Sequence, residues 1–301
     1  LVDEKLKDVV LFNPYLDEVV TIDKKGRDNS ILSLWACSRH LSKLDFDVLI
    51  NLHPNERCSF IDAMTSVKLR TGTTHKIFKW FWDVFTPLDR SMHAADMYLD
   101  VLQQLGVQDL SNNGLEIFPG EEHFLEAELF WQEQNITDQD KLIGFNIGSA
   151  VPTKRWPPER FAEVADIFAA KGYKTVFFGG PMDEEMVAEA TGYMQTRPII
   201  ATGHFAIGGL AAAMRRCCLI ITNDSGPMHV AISQKVPIVA MYGPSNPKLY
   251  GPYTKDAVIV TAQPPCQGCA DGMKHSCDDL QCMSRMTVKQ VVEAADTMLE
   301  R

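Results

Sequence analysis

The stretch CLIITNDSGPMHVAISQKVPIVAMYG, Cys218 to Gly243, decides the fold. Two apolar runs of strand length flank a short helical segment, which is the pattern of a parallel strand–helix–strand unit. Polar residues of several chemical types gather where the first run meets the helix: Asn223, Asp224, Ser225, Gly226 and His229. A structural turn needs a helix cap and sometimes a glycine. It does not need an acid, a hydroxyl and an imidazole together, so this turn is a candidate functional site.

The same alternation continues on both sides of this unit. Six apolar runs have strand length: LIGFNIG (142–148), KTVFFGG (174–180), PIIATG (198–203), CLIITN (218–223), PIVAMYG (237–243) and AVIVTA (257–262). Helical segments separate the first five runs, so the pattern predicts an α/β fold with a parallel sheet and helices on both faces. Ligands of such sheets bind outside the carboxyl ends of the strands, so functional residues should follow the strands.

The first part of the chain has a weaker version of this pattern. It contains three shorter strand-like runs, EVVTID (18–23), FDVLINL (46–52) and SVKLRTG (66–72), and two helical ones, 95–106 and 124–134. The polar segment NITDQDK, 135–141, marks the boundary. We therefore expect one domain over 1–135 and a second over 136–285. A closing helix over 286–301 begins at Thr287, with Gln290 at the capping-box spacing.

Composition limits the function classes. The 301 residues are 46% hydrophobic and 23% charged, which is ordinary for a globular protein. The net charge of −10 argues against general nucleic-acid binding, which depends on basic surface. The sequence shows neither a signal peptide nor an apolar run of the roughly 20 residues that span a bilayer. We expect a cytoplasmic protein whose scattered cysteines are reduced.

Two other strand ends carry chemistry. Ser149 and Lys154 follow the run LIGFNIG, and Asp183 and Glu184 follow KTVFFGG. Positive charge suits a diphosphate and a carboxylate suits ribose hydroxyls, so with the turn at 223–229 the set indicates a nucleotide site. Taken singly, the lysine could be a solvated flanking residue and the acids could pair with a helix dipole. The GxGxxG, P-loop and HExxH signatures are absent from the sequence.

These motifs resemble a known family. NDSGPMHVA followed by VPIVAMYGPSNPKLYGPY is similar to the central signature of glycosyltransferase family 9, the heptosyltransferases of lipopolysaccharide core assembly. GFNIGSAVPTKRWPPERF, FFGGPMDEE and NPYLDEVVTID resemble further segments of that family, as does the stretch 93–106. The resemblance implies a GT-B architecture, with two Rossmann-like domains whose parallel sheets face each other across a cleft. The first domain would bind the acceptor and the second the nucleotide sugar, with the last helix packing back toward the first domain.

The resemblance also implies an activity. It is the transfer of heptose from ADP-heptose to a lipid-anchored inner-core acceptor, with inversion and without a metal or other cofactor, at the inner face of the inner membrane. By position, Ser149 and Lys154 would contact the diphosphate, and Asp183 or Glu184 the ribose. The remaining assigned residues would close around the phosphates or the sugar: Asp224, Ser225, Gly226 and His229.

The general base is not assigned. The resembled family places it in a Gly-Asp turn after its first strand, and the opening LVDEKLKDVV resembles the stretch after the second strand. We therefore expect the first strand–helix unit and the base to lie upstream of Leu1. His53 and Arg57, just after the run FDVLINL, are candidates for contact with an anionic acceptor, although both could be solvated loop residues.

Two further segments have alternative interpretations. The four cysteines Cys266, Cys269, Cys277 and Cys282 could bind structural zinc or could be plain reduced thiols. The aromatic stretch His75 to Leu88 could touch the inner membrane, or it could be buried against the first domain or line an acceptor cleft.

Three other functions remain open. The same fold could transfer another nucleotide sugar, bind one without catalysis, or act as a hydrolysing sugar-nucleotide epimerase.

Overall fold

The computed structural model describes residues 1–53, 55–73, 81–87, 89, 91–262, 277 and 279–301. The chain forms two compact units. Unit 1 comprises Leu1–Lys7 and Glu18–Asn112, and unit 2 comprises Asp8–Asp17 and Asn113–Arg301.

Unit 1 contains two small parallel sheets. Its strands are β1 (Val2–Asp3), β2 (Thr21–Ile22), β3 (Val48–Asn51), β4 (Leu69–Gly72) and β5 (Val84–Phe85). Its helices are α1 (Ile31–Lys43), α2 (Glu56–Met64) and α3 (Ala94–Gln104). A 3-10 helix, Glu4–Val9, begins in unit 1 and ends in the segment Asp8–Asp17 of unit 2. Strands β1 and β2 pair in parallel, and β3, β4 and β5 form a second parallel sheet in that order. The three strands predicted in this half are confirmed, each shorter than its apolar run.

Unit 2 is built on one six-stranded sheet. Its strands are β6 (Leu142–Asn146), β7 (Lys174–Phe178), β8 (Ile199–Ile200), β9 (Cys217–Asn223), β10 (Ile238–Met241) and β11 (Ala257–Val260). Its helices are α4 (Glu121–Glu133), α5 (Pro158–Ala170), α6 (Glu184–Tyr193), α7 (Ile207–Met214), α8 (Gly226–Ser233), α9 (Pro247–Tyr250), α10 (Gln281–Ser284) and α11 (Val288–Leu299). The strand order is β11-β10-β9-β6-β7-β8, and every pair is parallel. The predicted parallel α/β sheet is confirmed.

The sheet of unit 2 is buried on both faces. Successive residues of β6 belong to opposite cores, with Leu142 packed in one and Ile143 in the other. This arrangement explains why its strands are continuous apolar runs rather than alternating ones. Gly144 is required in β6 because a Cβ there would lie 2.3 Å from Ile220 Cδ1 of the neighbouring strand β9.

The unit boundaries and the predicted domain boundary fall at different places. Helix α4, which the sequence pattern assigned to the first domain, belongs to unit 2 and packs against α7. Helix α11 has the predicted capping box between Thr287 and Gln290, and it packs against α5 and the β9–β11 side of the sheet. Its approach to the first domain stays a prediction.

Among the described residues, no helix is both long enough and apolar enough to cross a membrane.

Candidate functional site

Strands β6 and β9 are the central pair of the sheet in unit 2. Asn146 at the end of β6 lies opposite Thr222 of β9. The chain runs outward from this pair in both directions, so the pair is a topological switch point, where ligands of such sheets bind. Residues that are far apart in the sequence are therefore brought together at the ends of these two strands.

Asp224 is the electrostatic centre of this site. Its Oδ2 atom lies 2.7 Å from Lys154 Nζ, in an ion pair whose side chains are only 7% and 14% exposed. The fully buried hydroxyl of Ser245 hydrogen-bonds to the same carboxylate oxygen. A charge-assisted contact of this kind in a dry environment is strong and geometrically specific. Lys154 donates one of its three N–H bonds to Asp224, so two can still serve an anion.

Ser149 connects the loop after β6 to the end of β9. Its Oγ donates to the backbone oxygen of Asp224 at 3.2 Å, and Arg155 Nε donates to the backbone oxygen of Ser149 at 2.8 Å. Asn223 tightens the same junction, because its Nδ2 donates to the Ile147 oxygen and its Oδ1 accepts from the Trp156 backbone N–H. The loop that carries Lys154 is therefore fixed against the β9 turn.

Ser225 stands at the N-cap position of α8, yet its hydroxyl is used elsewhere. Asn146 Nδ2 lies 2.8 Å from Ser225 Oγ and 3.0 Å from Thr222 Oγ1. The Ser225 side chain makes no capping hydrogen bond to the start of α8. With proline at position 227, the backbone N–H groups of Gly226 and Met228 are the first-turn donors without an intrahelical partner. They are oriented for an anion at the positive end of the helix dipole.

Gly226 and His229 both lie on the first turn of α8. Gly226 is exposed, and a Cβ there would meet no heavy atom of the described chain within 4 Å beyond its own helix backbone and chain neighbours. His229 is half-buried one residue beyond Met228. The backbone at Gly226 is thus open to close approach from outside the helix.

Of the two predicted ribose-binding acids, Asp183 lies nearer the cluster. A Cβ on Gly148 would come within 2.1 Å of Asp183 Oδ1, so this carboxylate lies directly against the backbone next to Ser149. Asp183 Oδ2 also accepts the Gly180 backbone N–H at 2.9 Å. Glu184 is exposed and lies beside Gly203, after β8.

Tyr242, directly after β10, lies beside the site. Burial, and then the Asp224 carboxylate, raise the pKa of the Tyr242 hydroxyl above its ordinary value. The hydroxyl therefore stays protonated and donates to the Tyr250 backbone oxygen at 2.7 Å.

The predicted acceptor-binding residues lie in unit 1. His53 is exposed at the edge of a cavity of about 420 Å³ whose wall also includes Asn51 and Asp62. The guanidinium of Arg57 donates to the Lys24 backbone oxygen at 2.6 Å and to Asn29 Oδ1 at 2.5 Å, so it braces the turn before α1. A role for either residue in acceptor binding stays a prediction.

Two predictions fall wholly or partly outside the described residues. Of the four cysteines in the zinc alternative, Cys266 and Cys269 are not described, while Cys277 is half-buried and Cys282 is buried in the core of unit 2. In the aromatic stretch 75–88, residues 75–80 and 88 are not described. The zinc and membrane interpretations of these segments stay predictions.

Sequence reasoning missed two side chains that organise the site. Asn146 ends an apolar strand, and a single amide at that point was a visible signal for a strand-end contact. Ser245 lies in the GPSNP loop after β10, and nothing local marks it as the partner of Asp224.

The comparisons with known proteins identify the family and the fold. The model of the family "Glycosyltransferase family 9 (heptosyltransferase)" matches residues 34–277. A solved glycosyl transferase family 9 structure from Veillonella parvula DSM 2008 is 52% identical, with a TM-score of 0.94 over 99% of this chain and 87% of that chain. The E. coli ADP-heptose LPS heptosyltransferase II structure has a TM-score of 0.77 at 20% identity, covering 99% of this chain and 88% of that chain. The GT-B fold class predicted from the sequence is confirmed by these matches.

Among curated sequences, lipooligosaccharide heptosyltransferase 2 of Haemophilus ducreyi is 34% identical over a stretch covering 44% of this chain and 40% of that protein. The chain thus spans about two-fifths of the length of the first curated relatives that it matches. The family match extends over most of the chain and includes the β6 and β9 strand ends. The chain belongs to glycosyltransferase family 9, the heptosyltransferase family.

Proposed function

We propose that this chain is a glycosyltransferase that moves heptose from ADP-heptose to a lipopolysaccharide inner-core acceptor, with inversion and without a metal. The observation that carries the proposal is the junction of β6 and β9. There Lys154, Ser149 and the open first turn of α8 converge around the buried Asp224. This is the chemistry that a diphosphate needs, placed where an α/β sheet binds its ligand.

The leaving group explains why these residues are needed. When the bond from the sugar to the diphosphate breaks, negative charge develops on the departing phosphate oxygen. Lys154 and the N–H groups of Gly226 and Met228 are fixed donors that can stabilise that charge without reorganising. Because a carboxylate would repel the diphosphate, we assign Asp224 the role of holding Lys154 in position.

The other roles follow from position. Asp183, beside the Ser149 loop, is the better placed of the two acids for ribose hydroxyls. We assign Ser225 and His229, at the start of α8, to contacts with the phosphates or the sugar. The acceptor hydroxyl needs a general base, a role that none of the residues named above takes. The lipid-anchored acceptor would bring the protein to the cytoplasmic face of the inner membrane.

The donor is proposed from the names of the relatives together with the diphosphate chemistry. The similar E. coli structure is named for ADP-heptose, and the curated relatives are named lipopolysaccharide or lipooligosaccharide heptosyltransferases. These names describe those proteins, so the nucleotide has to be measured for this chain.

The test is a thermal-shift titration with ADP, UDP, GDP and CDP in the presence of a chelator. Bound ligand stabilises by mass action, by about 2.7 kcal/mol at a hundredfold excess over its dissociation constant. We expect a selective shift with ADP, followed by heptose transfer in an acceptor assay that the chelator leaves unchanged.

Each alternative gives a different result. A selective shift with another nucleotide would reassign the donor within the same fold. Nucleotide binding without transfer to any acceptor would favour a non-catalytic binding protein, and a changed sugar without ligated product would favour an epimerase. The absence of any shift would contradict the phosphate site.

A further inference from the structure

Helix α1 of unit 1 has an unusually apolar outer surface. Its inner side packs through Leu34 and Leu41 into the core of the unit. On its outer side Ile31 is 72% exposed, Leu32 is 77% exposed and Trp35 is 48% exposed. Large apolar side chains that project together into solvent over the first turns of one helix are characteristic of an interaction surface.

The same outer face becomes basic along the helix. Arg39 and Lys43 are exposed on its last turns, and α1 contains no carboxylate. The guanidinium carbon of Arg39 lies 5.9 Å from the centre of the Trp35 ring, a cation–π arrangement that joins the apolar and basic parts. We call Ile31, Leu32, Trp35, Arg39 and Lys43 the α1 face.

The chemistry of the α1 face fits an anionic bilayer better than a protein groove. Its Trp and aliphatic side chains match the boundary between headgroups and acyl chains, where tryptophan is enriched. Its basic side chains can reach lipid phosphates at the headgroup level. Because the whole chain carries a net charge of −10, most of its surface is repelled by an anionic bilayer, so a local basic face would also set the orientation.

We propose that the α1 face docks unit 1 on an anionic lipid bilayer, with Ile31, Leu32 and Trp35 inserted and Arg39 and Lys43 on the headgroups. None of its residues belongs to the aromatic stretch 75–88 of the sequence. The proposal does not depend on the proposed activity, because docking involves neither donor nor acceptor.

The chain offers a matched control surface on α4. Leu125 and Leu129 are 61% and 51% exposed there, but five glutamates share that helix. A bilayer that simply captured exposed leucines would bind both helices. If binding instead requires the combined apolar and basic side chains of the α1 face, an anionic bilayer should not bind α4.

The experiment is co-sedimentation of the protein with vesicles of phosphatidylglycerol and phosphatidylethanolamine, and with vesicles of phosphatidylcholine alone. We expect wild-type protein to bind the anionic vesicles, and the Leu32→Ser variant to lose about tenfold or more in partitioning. The Arg39→Gln and Lys43→Gln variants should each lose about fivefold at low salt, with the loss diminishing as salt screens the headgroups. The double variant Leu125→Ser/Leu129→Ser should bind like wild type.

Folding and the proposed function are monitored separately. All these side chains are exposed, so each variant should keep the wild-type melting temperature and any nucleotide-induced shift. A nucleotide shift without vesicle binding would overturn the docking proposal alone, and vesicle binding without a nucleotide shift would count only against the proposed function.

Three results would overturn the docking proposal. One is absence of wild-type binding to the anionic vesicles, and another is equal losses for the α1 and α4 variants. The third is a change in oligomeric state, seen by sedimentation velocity, in the α1 variants without any change in vesicle binding. That result would identify the α1 face as a contact between protein chains.

Discussion

At the scale of single residues, the candidate site depends on the buried ion pair between Lys154 and Asp224. A buried pair contributes little net stability because both charges lose their hydration, but removing one partner leaves the other uncompensated. Ser245 and the Lys154 ammonium both satisfy Asp224. The carboxylate is therefore a positioning group, and its loss should affect both folding and binding.

We expect Asp224→Asn to lower the free energy of unfolding by about 3 kcal/mol, because the Lys154 charge is left buried without a counterion. The double variant Lys154→Met/Asp224→Asn should recover part of that loss, yet bind ADP as weakly as Lys154→Met alone. Chemical denaturation and ADP titration measure the two effects. Asp296→Asn, in the half-exposed pair with Lys171, is the control and should change stability by less than about 1 kcal/mol. Wild-type stability and ADP affinity in Asp224→Asn would contradict the positioning role.

Sequence reasoning could predict the site only where a local rule applied. Ser149, Lys154 and Asp224 were found because functional residues follow the strands of a parallel sheet. That Lys154 pairs with Asp224 could not be predicted, because the contact joins two loops about 70 residues apart through the strand order. Ser245 was missed for the same reason. Its contact with Asp224 arises because the fold brings the loops after β9 and β10 together, and no local sequence pattern marks it.

At the scale of elements, the junction of β9 and α8 keeps its first-turn N–H groups available. Asn146 of the neighbouring strand holds the Ser225 hydroxyl that would otherwise cap the helix. Pro227 fits the first turn because it lacks an N–H and has a fixed φ. The start of this helix is therefore not capped by its own N-cap side chain, which is the condition that the proposed phosphate contact requires.

We expect Gly226→Ala to weaken ADP binding without lowering the stability of the fold. The protein leaves space for the methyl group, and alanine is the better helix former, so stability should be unchanged or rise by up to about 1 kcal/mol. ADP affinity should fall by about tenfold, because the methyl group occupies the approach to the first-turn N–H groups. Melting temperature and ADP titration test both parts.

Gly192→Ala is the control for this substitution. Gly192 lies in α6, where a Cβ likewise meets open space, so this variant should gain stability without losing ADP affinity. Equal ADP affinity in the Gly226→Ala and wild-type proteins would count against a phosphate at this turn.

The elements of unit 2 were more predictable than those of unit 1. Strands buried on both faces give uninterrupted apolar runs, so all six were visible in the sequence. In unit 1, α1 exposes Ile31 and Leu32 and buries Ser38, which obscures the helical period of its apolar residues. Helix α1 is therefore stabilised by its packing against the rest of unit 1, and its local sequence pattern does not identify it as a helix.

At the scale of the whole molecule, the stability of unit 1 should depend on pH through one buried carboxyl group. Asp62 in α2 is 9% exposed, and burial raises its pKa to about 7, although the Asn51 amide and Arg70 act in the opposite direction. Its ordinary value is 3.8. The folded state therefore binds this proton more tightly than the unfolded state. The contribution of the protonated Asp62 carboxyl to the free energy of unfolding is lost as the pH rises from about 4 to about 7.

We expect the unfolding of unit 1 to become easier between about pH 4 and about pH 7, with Asp62 contributing up to about 4 kcal/mol across that window. Asp62→Asn should flatten this dependence and be more stable than wild type at the higher pH, because the amide never ionises. Urea denaturation across that range measures the effect. The exposed Asp47 provides the control, since Asp47→Asn should leave the wild-type slope in place. Parallel curves for wild type and Asp62→Asn would show that Asp62 is not the titrating group.

The central position of β6 and β9 also has a kinetic consequence. The hydrogen bonds that join the β6 side of the site to the β9 turn connect residues 67 to 79 positions apart, as in the contact between Asn146 and Ser225. Long loops must close before such contacts form, and contacts of this range form late in folding. Segments with local contacts can gain structure earlier, while the candidate site forms only once the two halves of the sheet have joined. During refolding, the moment at which ligand binding recovers would therefore report when the two halves of the sheet have joined.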